Sequence, residues 1–451
     1  MSFKKNFYWG AATASYQIEG AYNEDGKSLN IWDTFCQIPG RIDNFDNGNV
    51  ACDHYHRYKE DVKLMKEIGL KAYRFSLNWS RILPNGTGEV NQKGIDFYNN
   101  LIDELLAAGI EPFVTLYHWD LPLALDKLGG WRNPLMVQWF ENYAKVVAEH
   151  FSDRVKYFMT INEPQVVINL GYYVGSHAPG LKLTLSDVFD AHFILLKAHG
   201  AAVKALRTYG KQDLKIGYAP CYNFNVPKTE SPEDIQATKD TIFHFDRPEE
   251  AFNSLIWYND PIIFGKFPER EYEICAPYMP EITPKDMTLI SQPIDFVGHN
   301  NYWGSTVSYR EGLPPYLSDN LGFSNPPHQW PTSPDSLYWG TKFLAERYQK
   351  PILITENGRS VLDEVSSDGK VHDPARIHMM NGYLKGLKKS IAEGTDVIGY
   401  FYWSLMDNFE WTYGYHDRFG LIYVDYPTCD RILKDSAYRY KEIIESNGET
   451  L

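Results

Sequence analysis

Apolar and polar positions along the chain repeat one unit, an amphipathic helical stretch followed by a short run of strand-forming residues. Tyr58, Val62, Met65 and Ile68 recur at helical spacing, Gly69 supplies a left-handed stop, and 72–77 reads as a strand. The unit returns at 101–108, Gly109 and 112–116, at 206–210 before 216–219, and at 391–394 before 397–403. Versions without the glycine run from 149–153 into 157–161 and from 344–350 into 352–355. With 7–12 and 295–298 added, the pattern predicts eight strands.

Strands alternating with helices imply parallel pairing, and strands that are apolar along their whole length imply burial on both faces. Eight such units predict an α/β fold closed as a single (β/α)8 barrel; the competing arrangement is a doubly wound open sheet with an insertion. No glycine-rich phosphate loop follows the first run, since Gly10-Ala11-Ala12 lacks the G-x-G-x-x-G spacing, which weighs against nucleotide binding. Segments 223–259 and 310–336 break the rhythm and are expected as long loops overhanging the catalytic face. No linker divides the 451 residues, so one domain is expected over 1–451.

Composition sharpens this picture in three ways. The 58 acidic residues exceed the 44 basic ones, and a net charge of −14 repels phosphate backbones and anionic lipid headgroups. Nucleic acid and membrane are therefore not expected as partners, and no stretch approaches the ~18 apolar residues that span a bilayer. Five cysteines without paired zinc-type spacing fit free thiols in a reducing compartment, and the start of the chain shows no apolar leader, so a cytoplasmic location is expected. Aromatic residues make up 15% of the chain, which supplies both core and flat surfaces that stack on sugars.

Barrel chemistry takes place at the C-terminal ends of the strands. The first run is followed by Gln17 and Glu19, the second contains Arg74, the third ends in His118-Trp119-Asp120 and the fourth in Asn162-Glu163. The sixth gives Asn300 and Tyr302, the seventh Glu356-Asn357, and the eighth Trp403, followed by Asp407, Glu410 and Trp411. Singly, each has a structural explanation: a Glu before Pro is a common loop residue, and either Trp can be core. Together on one rim, Glu163 and Glu356 form the pair that acetal hydrolysis needs, one carboxyl donating a proton and the other attacking. Arg74 is placed to keep Glu356 ionised and Tyr302 to donate a hydrogen bond to it, while Glu163 must start protonated. A gap of ~5 to 5.5 Å between the carboxyls gives retention, and ~6.5 to 9.5 Å inversion. Gln17, His118, Asn162 and Glu410 supply polar partners for hydroxyls, with Trp403 and Trp411 as an apolar floor. His54 and His56 lack a matched ligand set, and neither a metal nor a cofactor is expected.

Seven separated motifs carry a resemblance: FYWGAATASYQIEGA (7–21), YRFSLNWSRILP (73–84), TLYHWDLP (115–122), TINEP (160–164), GSHAPG (175–180), ITENG (354–358) and YFYWSLMDNFEWTYGYHDRFGLIYVDY (400–426). In this order, over nearly the whole chain, they resemble family 1 of the glycoside hydrolases, the β-glucosidase and β-galactosidase family. The resemblance implies a (β/α)8 barrel, retention of configuration, Glu163 as acid/base and Glu356 as nucleophile. It also implies Gln17, His118, Trp119, Asn162, Asn300, Tyr302, Glu410, Trp411 and Phe419 around the sugar, with Trp403 beneath it.

Members acting on 6-phosphorylated sugars carry Ser, Lys and Tyr where this chain has Glu410, Asp417 and Phe419. Two acids where phosphate needs a hydroxyl and a cation imply repulsion, so a small, unphosphorylated β-glycoside such as a cello-oligosaccharide or aryl glucoside is the expected substrate. A 6-phospho-β-glucosidase and a non-catalytic carbohydrate-binding barrel are the alternatives. His299, Asn301, Arg359 and Asn78 depart from the usual family pattern and bear on the aglycone more than on the reaction.

Overall fold

The computed structural model describes residues 3–318 and 330–451. Eight parallel strands form one sheet: β1 (Tyr8–Ala12), β2 (Ala72–Ser76), β3 (Glu111–Tyr117), β4 (Tyr157–Asn162), β5 (Lys215–Ala219), β6 (Val297–Asn300), β7 (Ile352–Asn357) and β8 (Val397–Trp403). Neighbours run β5-β4-β3-β2-β1-β8-β7-β6, in register Tyr8 with Gly399, Gly10 with Ala72 and Ile352 with Val297. β5 and β6 then meet: Asp295 N–H donates to Ile216 O (2.7 Å), Asn300 N–H to Pro220 O (2.9 Å), and Cys221 pairs with Asn300 in a parallel bridge. The ring closes there, as a barrel rather than an open sheet.

The helices form where the apolar spacing places them. α1 (His54–Ile68) buries Val62, Met65 and Ile68 against the barrel and stops at Gly69, whose φ of 84° lets its N–H return to Met65 O. α2 (Gln92–Ala107), α3 (Met136–Phe151), α4 (Leu185–Tyr209), α5 (Ser336–Tyr348), α6 (Pro374–Ala392) and α7 (Asp435–Glu445) complete the outer layer.

Much of the aromatic surplus is core. At the floor of the barrel Phe113 stacks on Tyr157 (4.2 Å between ring centres) and meets Tyr8 and Phe401 edge-on, while the Tyr8 and Tyr157 hydroxyls lie 2.9 Å apart. Gly10 is required beside them, because a Cβ there would come within 2.5 Å of the Phe401 ring. With the floor plugged, only the opposite mouth is available for chemistry.

Two expectations need correction. The sixth strand is Val297–Asn300 rather than 295–298, because Asp295 turns its side chain back to accept from Ile216 N–H (2.7 Å) and its backbone only leads into the ladder. Segment 223–259 is not a long loop. It holds helices Pro232–Phe243 and Leu255–Phe264 around a 3₁₀ segment, Pro248–Asn253. Its Pro and Asp content reads as loop, yet Ser231 caps a helix with Pro232 in its first turn, and Thr238 Oγ1 turns inward to Asp234 O. Of 310–336, Tyr316–Ser318 pairs with Thr306–Ser308 and Ser336 opens α5, while 319–329 lie outside the described residues.

Candidate active site

The carboxyls of Glu163 and Glu356 are both buried at the mouth, on the ends of β4 and β7. Glu356 is the last residue but one of its strand and accepts from Arg74 Nη1 (2.6 Å) through Oε1 and from Tyr302 Oη (2.6 Å) through Oε2. Arg74 is itself fixed by Thr115 Oγ1 (3.1 Å) and Thr355 O (3.1 Å), so its guanidinium is aimed before any ligand arrives. Glu163 follows β4 with a left-handed backbone (φ 43°) and caps the helix Pro164–Ile168, while its N–H reaches across to Ala219 O (2.7 Å) on β5.

Asn162 and Asn300 join the two halves. Asn162 Oδ1 accepts from Arg74 Nη2 (2.7 Å) and Asn300 Nδ2 (3.1 Å), and Asn300 Nδ2 also donates to Glu163 Oε1 (2.6 Å). This fixes the Asn162 amide, whose Nδ2 must then donate to His118 Nε2 (3.0 Å). The His118 proton consequently sits on Nδ1, and burial together with Arg74 holds the ring's pKa well down, so the imidazole is neutral. Among the described residues His118 Nδ1 has no partner, and neither does Gln17 Oε1. A buried donor and a buried acceptor thus remain for hydroxyl groups.

Electrostatics separate the carboxyls. Burial and the charge of Glu356 push Glu163 up to about 8, against the pull of Asn300 and Arg74. Burial raises Glu356 too, but Arg74 and Tyr302 oppose it directly. A proton shared between them therefore rests on Glu163, leaving Glu356 as the anion. Glu410, beside Gln17 Nε2 (3.5 Å), is raised well above the ordinary range by burial, Asp417 and both other carboxyls.

Aromatic rings line the remaining wall. Trp411 sits between Trp32 and Trp119, each 4.5 Å away, and Trp403 lies nearly parallel to His118 at 5.9 Å. Trp119 and Trp411 have left-handed backbones, φ 76° and 48°, as Glu163 does. Such conformations cost about 1–3 kcal/mol each and gather where function over-determines geometry. Phe419 packs edge-on against Tyr302 at 6.2 Å.

The strand-end residues singled out above lie at this mouth except Glu19, Asp120 and Asp407; Glu19 turns into the scaffold and accepts from Arg81 Nε (3.1 Å) and Tyr98 Oη (2.6 Å). Asp120 accepts from Ser15 Oγ (2.9 Å) and Asp407 from Lys434 Nζ (2.6 Å), and both are buried. The departures at 299 and 301 are scaffolding as well: His299 Nε2 lies against Tyr222 O (3.2 Å), and Asn301 joins Phe224 N–H (3.2 Å) to Ser336 Oγ (2.8 Å). His54 holds Asp61 (2.7 Å) and His56 holds Asp53 (2.6 Å); among the described residues no group of three or more His, Cys, Asp or Glu is arranged to hold a metal.

Sequence reasoning missed Cys221, Gln165 and Trp330. Cys221 stands just past the end of β5, where the strand-end rule would have found it. Trp330, against Tyr302 at 5.1 Å, is hidden in the Pro- and Asn-rich stretch. Two clefts, of about 670 and 980 Å³, lie mainly over residues 240–273 and contain neither carboxyl.

Residues 1–449 match glycosyl hydrolase family 1. The chain belongs to that family. Among its relatives, beta-glucosidase A of Thermotoga maritima is 46% identical over 99% of this chain and 98% of its own length. A 1,4-beta-D-glucan glucohydrolase of Thermotoga neapolitana is 45% identical over 99% of both. A solved beta-glucosidase from Thermotoga maritima in complex with glucoimidazole superposes with a TM-score of 0.90 at 45% identity, covering 99% of both chains. This glycosyl hydrolase is a single-sheet barrel with its carboxyl pair at the mouth, and among its described residues no helix is long and apolar enough to cross a membrane.

Proposed function

We propose that this glycosyl hydrolase removes terminal β-D-glucosyl residues from unphosphorylated β-glucosides, with retention of configuration. The observation that carries the reading is the unequal environment of the two glutamates: Glu356 held as an anion by Arg74 and Tyr302, and Glu163 kept protonated by burial. Glu356 attacks the anomeric carbon while Glu163 gives its proton to the departing glycosidic oxygen. The carbon–oxygen bond breaks, the aglycone leaves as an alcohol and a covalent glycosyl–enzyme remains. Glu163, now a carboxylate, takes a proton from water, whose oxygen displaces Glu356 and releases the sugar.

Gln17 Oε1 and His118 Nδ1–H supply an acceptor and a donor to neighbouring hydroxyls. Trp403 and Trp411 face the apolar side of the ring. Glu410 beside Asp417 repels a 6-phosphate, which supports a neutral sugar. The names and bound glucose mimic of the relatives support a small glucoside, and the five unpaired thiols support a reducing compartment such as the cytoplasm.

The test is a panel of aryl β-D-glucoside, its 6-phosphate and the α-anomer, with the first-formed anomer of glucose followed by NMR. The β-glucoside is expected to turn over fastest and to release β-glucose first. Preference for the phosphate, or initial α-glucose, would overturn the reading.

A further inference from the structure

Tyr302 reaches Glu356 from a stretch of chain outside the strand ladder, two residues past the end of β6. On its N-terminal side the backbone is fixed to the nucleophile's own strand: Asn301 N–H donates to Glu356 O (3.0 Å) and Asn301 O accepts from Asn357 Nδ2 (2.7 Å). The carbonyl of Tyr302 itself is held from the outer layer, by the Tyr383 hydroxyl of α6 (2.8 Å). Tyr383 is fully buried, and the same hydroxyl oxygen accepts from Ser333 N–H (2.8 Å). A backbone N–H only donates and a carbonyl only accepts, so the one phenolic proton is committed to Tyr302 O. Segment 332–336, which Tyr383 meets through Ser333, is pinned twice more, by Arg359 Nη1 to Thr332 Oγ1 (2.8 Å) and by Asn301 Nδ2 to Ser336 Oγ (2.8 Å). Asn301 and Arg359, both departures from the usual family pattern, thus converge on the segment that Tyr383 also holds.

We propose that Tyr383 is a positioning residue: its hydroxyl fixes the Tyr302 carbonyl against segment 332–336, and thereby aims the Tyr302 phenol at Glu356 and helps to hold the nucleophile ionised. The inference rests on the nucleophile's role given to Glu356 above. Tyr383 bonds to the backbone of Tyr302, so it acts only through where that phenol points. A phenol free to swing makes a longer and poorer bond to the carboxylate, which weakens one of the pulls that oppose burial at Glu356. The other groups facing Glu356 are Arg74 from β2, Glu163 after β4 and Asn300 from β6, with Glu410 after β8. Glu163 and Glu410 also face Tyr302, and Arg359 and Ser336 face Tyr383. None of them is altered in the pH-profile variants below.

Tyr383→Phe keeps the ring and removes the bond. The acid limb of kcat/KM for an aryl β-glucoside, which follows ionisation of the nucleophile, is expected to rise by about half a unit, and kcat to fall roughly 3- to 10-fold. Tyr440→Phe is the control, since the buried Tyr440 hydroxyl likewise donates to a backbone carbonyl, Gly10 O (2.8 Å) on β1. It should lower Tm comparably and leave the limb in place. In a Tyr302→Phe background, which has no phenol to aim, Tyr383→Phe should shift the limb no further. An unmoved limb in Tyr383→Phe, an equal shift in Tyr440→Phe, or a full second shift in the Tyr302→Phe background would overturn the proposal alone. The role of Glu356 is decided separately. Glu356→Ala given azide and an activated aryl β-glucoside should yield α-glucosyl azide, the azide nitrogen bonding to the anomeric carbon as the aryl oxide leaves. Without that product the nucleophile assignment falls, and this proposal with it.

Discussion

Charges are buried in two neighbouring regions of the barrel, and they are treated in opposite ways. Behind β8, Asp407, Asp363 and Asp373 meet Lys434, Arg418 and Arg376, in contacts such as Lys434 to Asp407 (2.6 Å), Arg418 to Asp407 (2.7 Å) and Arg376 to Asp363 (2.7 Å). Three carboxylates face three cations there. Burial alone would raise Asp363, but Arg376 and Lys434 bring it below its ordinary range. At the mouth, Arg74 ion-pairs with Glu356 and pulls on Glu163, yet Glu163, Glu356 and Glu410 are all raised. The paired cluster anchors the segment that leads from Trp403 to Glu410, and the underpaired cluster is the proposed seat of the chemistry. Deficient pairing is what makes carboxyls protonatable at neutral pH.

The sharpest way to break the contrast is at the proposed nucleophile. Glu356→Ala should lower kcat for an aryl β-glucoside by on the order of 10⁵-fold or more, the scale of losing a nucleophile, with Tm little changed. Residual turnover above about one per cent would remove Glu356 from the role. In the paired cluster the loss should fall on stability instead. Lys434→Met strips Asp407 and Asp363 of a shared partner and leaves buried charge uncompensated, at a cost of about 3–5 kcal/mol. Denaturant unfolding of parent and variant measures it, and a change within 0.5 kcal/mol, the scatter of neutral surface substitutions, would mean that water already screens the cluster.

The two regions also differ in how far the sequence discloses them. The mouth is legible because a barrel puts its polar strand ends on one rim, so Arg74, His118, Asn162, Glu163, Asn300 and Glu356 could be placed from eight short apolar runs. The paired cluster is not. Asp363 and Lys434 lie 71 residues apart and Asp407 and Lys434 27 apart, off the strand ends, where no periodicity links them. Cys221 was within reach of the same rule, but the run 216–219 was read only for its apolar character. Segment 223–259 failed for another reason: local propensity favoured loop, and the capping by Ser231 and the packing of Ile242 and Trp257 prevailed.

Glu410 tests the mouth from its other side. Glu410→Gln keeps the shape and the hydrogen-bonding reach toward Gln17 but gives up a charge-assisted bond to sugar hydroxyls, worth about 1.5–3 kcal/mol. A fall of roughly 10- to 100-fold in kcat/KM for β-glucoside is expected. The 6-phosphate analogue should lose less or gain, since one repulsive charge is gone. An equal loss on both substrates would detach Glu410 from discrimination against phosphate.

The smallest effect is a gain in stability. Glu163 has its pKa raised in the folded state to about 8 from an ordinary 4.5. The folded protein therefore holds this proton more tightly than the unfolded chain does. The stability contributed by the protonated carboxyl is complete below about pH 4.5 and is lost as pH rises through 8. Glu163→Gln has no proton to lose. Its Tm should match the parent's near pH 4.5 and exceed it by a few degrees at pH 8, a difference that widens with pH. The corresponding change in the paired cluster, Asp363→Asn, has the opposite sign, because a carboxyl lowered in the folded state stabilises above its unfolded pKa. A Tm gap for Glu163→Gln that stays constant across the pH range would show that the carboxyl is solvated like a surface residue, and the contrast between the two buried clusters would collapse.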